Sequence, residues 1–128
     1  MSNLDIQKQI SHWKNGAIED WAAARSLLKD KKIRHGLFFA QLALEKLLKA
    51  HVCRDTQDLA PRIHNLNRLV ARTTLNLSQE RGDVLAEMNA FNLEGRYPDL
   101  LITPPTKKEA DEYMRRAQEV YEWLLNQL

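Results

Sequence analysis

Apolar residues recur along most of this chain at intervals of three and four, the period of a helix laid against a core. From about Leu4 to Lys29, the residues Ile10, Trp13, Ala17, Trp21, Ala24 and Leu28 fall on one face. Gly16 interrupts that stretch; it either costs up to about 1 kcal/mol of helix stability or marks a close approach to a neighbour. Lys29-Asp30-Lys31-Lys32 is a polar stop. A second helix is predicted over about Arg34 to Arg54, with Leu37, Ala40, Leu44, Leu47, Leu48 and His51 on its inner side. Asp55 to Ile63 reads as a loop broken by Pro61.

A short third helix is expected from His64 to about Thr74, its apolar residues being Leu66, Leu69 and Val70. Ser78 is placed to cap a fourth that runs towards Phe91 through Val84, Leu85 and Met88. Three prolines between Gly95 and Pro105 exclude continuous helix there. Thr106-Lys107-Lys108-Glu109 then has capping-box spacing, opening a last helix with Ala110, Tyr113, Ala117, Val120, Leu124 and Leu128 as its stripe. No run alternates with the period of two that a half-buried strand requires. The pattern predicts an all-α, up-and-down bundle of four to five helices in a single domain over residues 1–128.

Composition narrows the functional classes. A chain of 128 residues suits one compact domain able to bury a core without staples. Its 19 basic and 17 acidic residues leave a net charge of +2, so no general nucleic-acid affinity follows from total charge. The single Cys53 has no partner for an internal disulfide, which fits a reducing compartment. No apolar run reaches the length of a membrane span, and the N-terminus lacks the basic start and apolar run of a signal peptide. These features together predict a cytoplasmic protein.

Candidate chemistry is sparse. His12, His35, His51 and His64 are scattered without ligand partners at helical spacing, and neither HExxH nor CxxC occurs, so no metal or other cofactor is expected. Neither a P-loop nor a GxGxxG fingerprint is present. Cys53, at a helix end, reads as a small apolar filler. More informative is the segment Gly36 to Ala50, which carries Gln41, Glu45 and Lys49 at spacing four on a strong helix sequence. Glu45 and Lys49 form an i,i+4 pair in the favourable order, worth a few tenths of a kcal/mol on an exposed helix. On spacing alone that row reads as a solvated face, while a buried network or a site stays open. Lys46 and Arg34 add positive charge to the same helix.

Two further features accompany that row. His64-Asn65-Leu66 opens the third helix, with Asn65 suited to capping it. Arg96-Tyr97-Pro98-Asp99 stands in the proline-containing segment, and loops that carry such residues on a rigid scaffold are common places for function. The same four residues also read as a turn, with Pro98 fixing the backbone, Asp99 accepting backbone hydrogen bonds, Tyr97 packing, and Arg96 pairing with a carboxylate such as Glu45.

His12-Trp13, the Ala17–Leu28 stripe, FFAQLALEKLLKA from Phe38 to Ala50, His64-Asn65-Leu66 and GRYPD from Gly95 to Asp99 occur in that order over nearly the whole chain. In this combination the chain resembles the HEPN domain family (higher eukaryote and prokaryote nucleotide-binding). The resemblance implies a bundle of four or five helices that pairs into a homodimer. It also implies a place beside a minimal nucleotidyltransferase, in some cases as a toxin–antitoxin pair. Other members are metal-independent ribonucleases that use an Arg, four to six residues, then a His, two copies meeting across the dimer.

This chain departs from that catalytic pattern. Arg25 and Arg54 each have a His ten positions on, no Arg has one five to seven positions on, and no His follows Arg96. The resemblance therefore points to the non-catalytic, nucleotidyltransferase-associated branch. Lys46, Lys49, His64, Arg96 and Tyr97 are its candidate ligand contacts, the cations for phosphate and Tyr97 for stacking on a base, with Gln41, Glu45 and Asp99 as a candidate structural network. The alternative is an RNA-cleaving toxin with a variant site, such as His64 and Arg96 brought together in space.

Overall fold

A computed structural model describes residues 2–92 and 103–128, apart from the side chain of Leu4. Five helices follow one another: α1 (Asn3–Lys29), α2 (Ile33–Thr56), α3 (Leu66–Val70), α4 (Gln79–Met88) and α5 (Lys107–Asn126), with a 3-10 turn at Asn89–Phe91 after α4. The expected all-α bundle is what the described residues form. Each predicted start signal acts as such. Ser78 accepts a hydrogen bond from the Arg81 N–H, and Thr106 and Glu109 complete a reciprocal capping box. The third helix is much shorter than its pattern suggested. Asn65 caps it, and it ends at Val70 because the Thr73 hydroxyl turns to the nearby Val70 carbonyl and Thr74 is held by Asp55, nineteen residues earlier.

α2 is the axis of the molecule. It packs along α1 and also touches α3, α5 and the 3-10 turn. Being covered on several sides, it buries fourteen residues, among them an unbroken run from Leu47 to Cys53. The main core joins Ala17, Trp21 and Ala24 of α1 to Leu44, Leu47 and Leu48 of α2 and to Ala117, Val120 and Leu124 of α5. Leu66, Leu69, Leu85 and Met88 close it from below. α1 runs unbroken through Gly16, which accommodates a neighbour: an ideal Cβ there would lie 3.2 Å from Lys46 Cδ. Gly36 is tighter still, since its Cβ would lie 2.6 Å from Leu28 Cγ. Only hydrogen fits where α1 and α2 meet beside their turn.

All three tryptophans have ring contacts within the chain. Trp21 is buried and stacked on Tyr121 at 4.5 Å, Trp123 lies beneath the Arg81 guanidinium, and Trp13 lies beneath the Lys49 ammonium. The expectation of a homodimer therefore rests on the family resemblance. Among the described residues, no helix is long and apolar enough to cross a membrane.

Candidate functional site

Gln41, Glu45 and Lys49 stand one turn apart on α2, facing the loop that leads into α3. They are not a solvated face. Gln41 is fully buried, Glu45 3 % exposed and Lys49 7 % exposed. The spacing was compatible with solvent, but α3 and its entry loop cover this side of α2. The Lys49 ammonium donates to Glu45 Oε2 at 3.0 Å and lies 5.1 Å from the centroid of the Trp13 ring, where the π-face adds to its stabilisation. The Gln41 amide donates to Glu45 Oε1 and to the His64 carbonyl, both at 3.3 Å.

His64 enters this network from outside. Its Nδ1 is 3.2 Å from both carboxylate oxygens of Glu45. An ionised carboxylate only accepts, so Nδ1 carries the proton and donates; in the neutral ring Nε2 is then the basic nitrogen. The backbone around it is fixed as well. Asn65 accepts from the Arg68 N–H at 3.0 Å, the Leu66 N–H donates to Asn89 Oδ1 at 2.8 Å, and Asn89 in turn donates to Asn67. The imidazole is thus pinned at its root by α2, α3 and the 3-10 turn, while its side chain stays 43 % exposed. A buried carboxylate holding a half-exposed imidazole can orient it for binding an anion or for moving a proton. Two buried polar atoms belong to this neighbourhood's residues, Gln41 Oε1 and Trp13 Nε1, and neither finds a hydrogen-bond partner. Such atoms are rare in folded proteins. Nothing in the sequence spacing links Trp13 to Lys49; only the crossing of α1 and α2 does.

The other sequence-selected residues fall elsewhere. Lys46 turns to α1, where its ammonium pairs with Asp20 at 2.7 Å and its stem lies over Gly16. Arg96, Tyr97 and Asp99 lie outside the described residues. Among the described residues, Arg54 and His51 meet in a structural role. Buried His51 donates from Nε2 to the Leu124 carbonyl at 2.8 Å and accepts at Nδ1 from Arg54, which also reaches the Gln127 carbonyl. Burial first, and the adjacent Arg54 charge, hold the imidazole of His51 below its ordinary value of 6.5, so it stays neutral and ties α2 to the end of α5. Burial also pushes the Cys53 thiol up, which keeps it protonated and unreactive. A cleft of about 470 Å³ opens between α4 and α5, but its walls are occupied by ion pairs such as Arg81–Glu119 and Arg116–Glu87. Among the described residues, no three His, Cys, Asp or Glu side chains gather as a metal would require.

Two solved structures share this arrangement of helices. One is the protein TT1696 from Thermus thermophilus, 22 % identical with a TM-score of 0.78, the match covering 94 % of this chain and 98 % of that one. The other is ST0689, described as an archaeal HEPN homologue, 21 % identical with a TM-score of 0.70, covering 92 % of this chain and 96 % of that one. At such identity the likeness speaks for the fold alone. No curated protein matches the chain. The sequence model of the HEPN domain matches residues 10–128. With that match spanning nearly the whole chain, and with a helical bundle shared with an archaeal homologue of the same name, the protein belongs to the HEPN domain family.

Proposed function

We propose that this protein is a binding module: a homodimeric HEPN protein that partners a separate minimal nucleotidyltransferase, as one half of a toxin–antitoxin-like pair, and holds a nucleotide at the Lys49–His64 end of its buried network. The observation that carries the reading is His64, a half-exposed imidazole anchored by a buried carboxylate. Anchoring of this kind fixes the ring at little entropic cost, and in its protonated form Nε2 donates to phosphate while Nδ1 stays on Glu45. Gln41 Oε1 and Trp13 Nε1, buried and unpartnered, belong to residues that contact the same network. Arg96 and Tyr97 are the further contacts this proposal assigns, the first to phosphate and the second to a base. The absence of a His five to seven residues after any Arg speaks against the family's ribonuclease chemistry.

The experiment is a thermal-shift titration with ATP at millimolar concentration, alongside light scattering. The expected result is a nucleotide-dependent rise in Tm that is lost in His64→Ala and Arg96→Ala, in a particle of twice 14.9 kDa. No shift with any nucleotide, together with a monomer, would overturn it.

One observation favours a second reading. The Glu45–His64 pair has the form of a carboxylate-oriented general base, which RNA cleavage needs. Incubation of purified protein with RNA in the presence of a chelator separates the two. Cleavage abolished by His64→Ala makes the protein an enzyme; intact RNA leaves it a binding module.

A further inference from the structure

The charge of this chain is unevenly placed. Eleven residues, Arg25 to His35, contain Arg25, Lys29, Lys31, Lys32 and Arg34 against the single acid Asp30. They carry a net +4 in a chain whose total is +2, so all remaining residues together are acidic. These residues form the last turns of α1, the connecting turn and the first turn of α2, and all five cations are exposed. Among the described residues, none of the five is paired with a carboxylate, whereas Lys46, Lys49, Arg54, Arg81, Lys107, Arg115 and Arg116 all are.

The backbone adds an independent observation. The Lys32 N–H donates to the Leu27 carbonyl at 2.8 Å and the Lys31 N–H to the Leu28 carbonyl at 3.0 Å, the two bonds of a Schellman motif. The residue at its left-handed position, with φ 62°, is Lys31. Glycine fills such a position without steric cost, and an L-residue does not. The chain thus carries a cation at the very tip of this hairpin, at a position where glycine would fit without steric cost.

We propose that the α1–α2 hairpin tip is a docking surface for the phosphate backbone of a nucleic acid, bound without base readout. Flexible, unpaired Lys and Arg side chains suit closely spaced phosphates, and the arginines add bidentate contacts. A protein partner fits poorly: protein interfaces are poor in Lys and need an apolar centre, and the large exposed apolar side chains among the described residues, Ile18 and Leu59, lie outside this segment. A membrane surface fits less well for the same lack of an apolar side chain to insert. The tip is also separate from His64. Along α2, Glu45 lies twelve residues beyond Ile33, about 18 Å at the rise of a helix, so this surface stands whichever reading of His64 holds.

The test is fluorescence anisotropy of the full chain with a short labelled RNA duplex and a DNA duplex of random sequence, titrated at about 50 to 200 mM salt. Binding should weaken steeply with salt, with a log–log slope of about −4.5 for duplex DNA if all five cations engage. Lys29→Gln/Lys31→Gly/Lys32→Gln should remove most of the affinity. Lys31→Gly alone should weaken binding and flatten the slope by about 1, yet raise Tm by about 2–4 °C. That combination is one a damaged fold does not give. Gln57→Gly, at the second left-handed position among the described residues and outside the basic segment, is the control whose affinity should match the parent chain. No binding at the lowest salt, or affinity unchanged in the triple variant, would overturn the proposal. Tighter binding to vesicles of anionic phospholipid than to either duplex would also overturn it, in favour of a membrane partner.

Discussion

Replacing Glu45 with Gln changes one atom type in a side chain of nearly the same shape, and the environment makes that change severe. The Glu45 side chain is 4 % exposed and that of Lys49 8 %, so neither charge is stabilised by water. In Glu45→Gln the Lys49 ammonium keeps its burial but loses its counter-charge. The new amide also turns N–H groups towards Lys49, Gln41 or His64, all of which donate to this position in the parent chain. Breaking a buried pair from one side costs about 3–5 kcal/mol, a large part of the 5–15 kcal/mol that holds a domain together. Lys49→Met removes the ammonium while keeping an apolar stem over Trp13, and it leaves the carboxylate with Gln41 and His64, so its cost is smaller. The double variant carries no buried charge, and its loss should fall well short of the sum of the single ones. Urea denaturation followed by circular dichroism measures all four corners of the cycle, provided the m-values agree. The cycle should give a coupling of about 2 kcal/mol or more, against the few tenths of an exposed helical pair. A coupling of only a few tenths, or a Glu45→Gln loss under about 1 kcal/mol, would mean that water reaches the pair and that the network does not hold His64.

Three further outcomes are expected. Gly36→Ala should destabilise the fold by about 1–3 kcal/mol, because Leu28 Cγ and the Ala24 carbonyl occupy the space of the new methyl, whereas Gly82→Ala, with nothing within 4 Å, should stabilise by about 0.5–1 kcal/mol in the same denaturation assay. Two losses, or two gains, would sink that account. Stability should fall as pH drops below 6.5, since the unfolded chain takes up a proton on His51 there while the folded chain, with its lowered value, resists it. The stability gap between the parent and His51→Gln should therefore narrow from pH 7 to pH 5, by up to about 1.4 kcal/mol per unit, and a constant gap would show that His51 is not neutral in the fold. Asn65→Ala should cost about 1 kcal/mol through its lost cap and should broaden the imidazole resonances of His64 in NMR; unchanged resonances would show that Glu45 alone positions the ring.

The helices and their ends were legible because they are set by neighbours in sequence. Ser78, Asn65 and the Thr106–Glu109 box cap the helices they precede, and the spacing of Ala17, Trp21, Ala24, Leu44, Leu48, Ala117 and Leu124 marks the faces that meet in the core. These are local interactions, written within a few residues of each other. The length of α3 was not legible, because Asp55, nineteen residues earlier, supplies the acceptor for Thr74. Nor was the burial of Gln41, Glu45 and Lys49: a row at spacing four is the same string of letters whether water or a protein loop lies opposite. The sequence by itself determined which residues share a stripe of α2. The tertiary structure decided that α3 and its entry loop cover that stripe, bring His64 to Glu45 across nineteen residues and set Trp13 beneath Lys49. Removing water from one ion pair turned a marginal surface contact into the anchor of the candidate site, and burial of that kind is a property of packing, which no local pattern encodes.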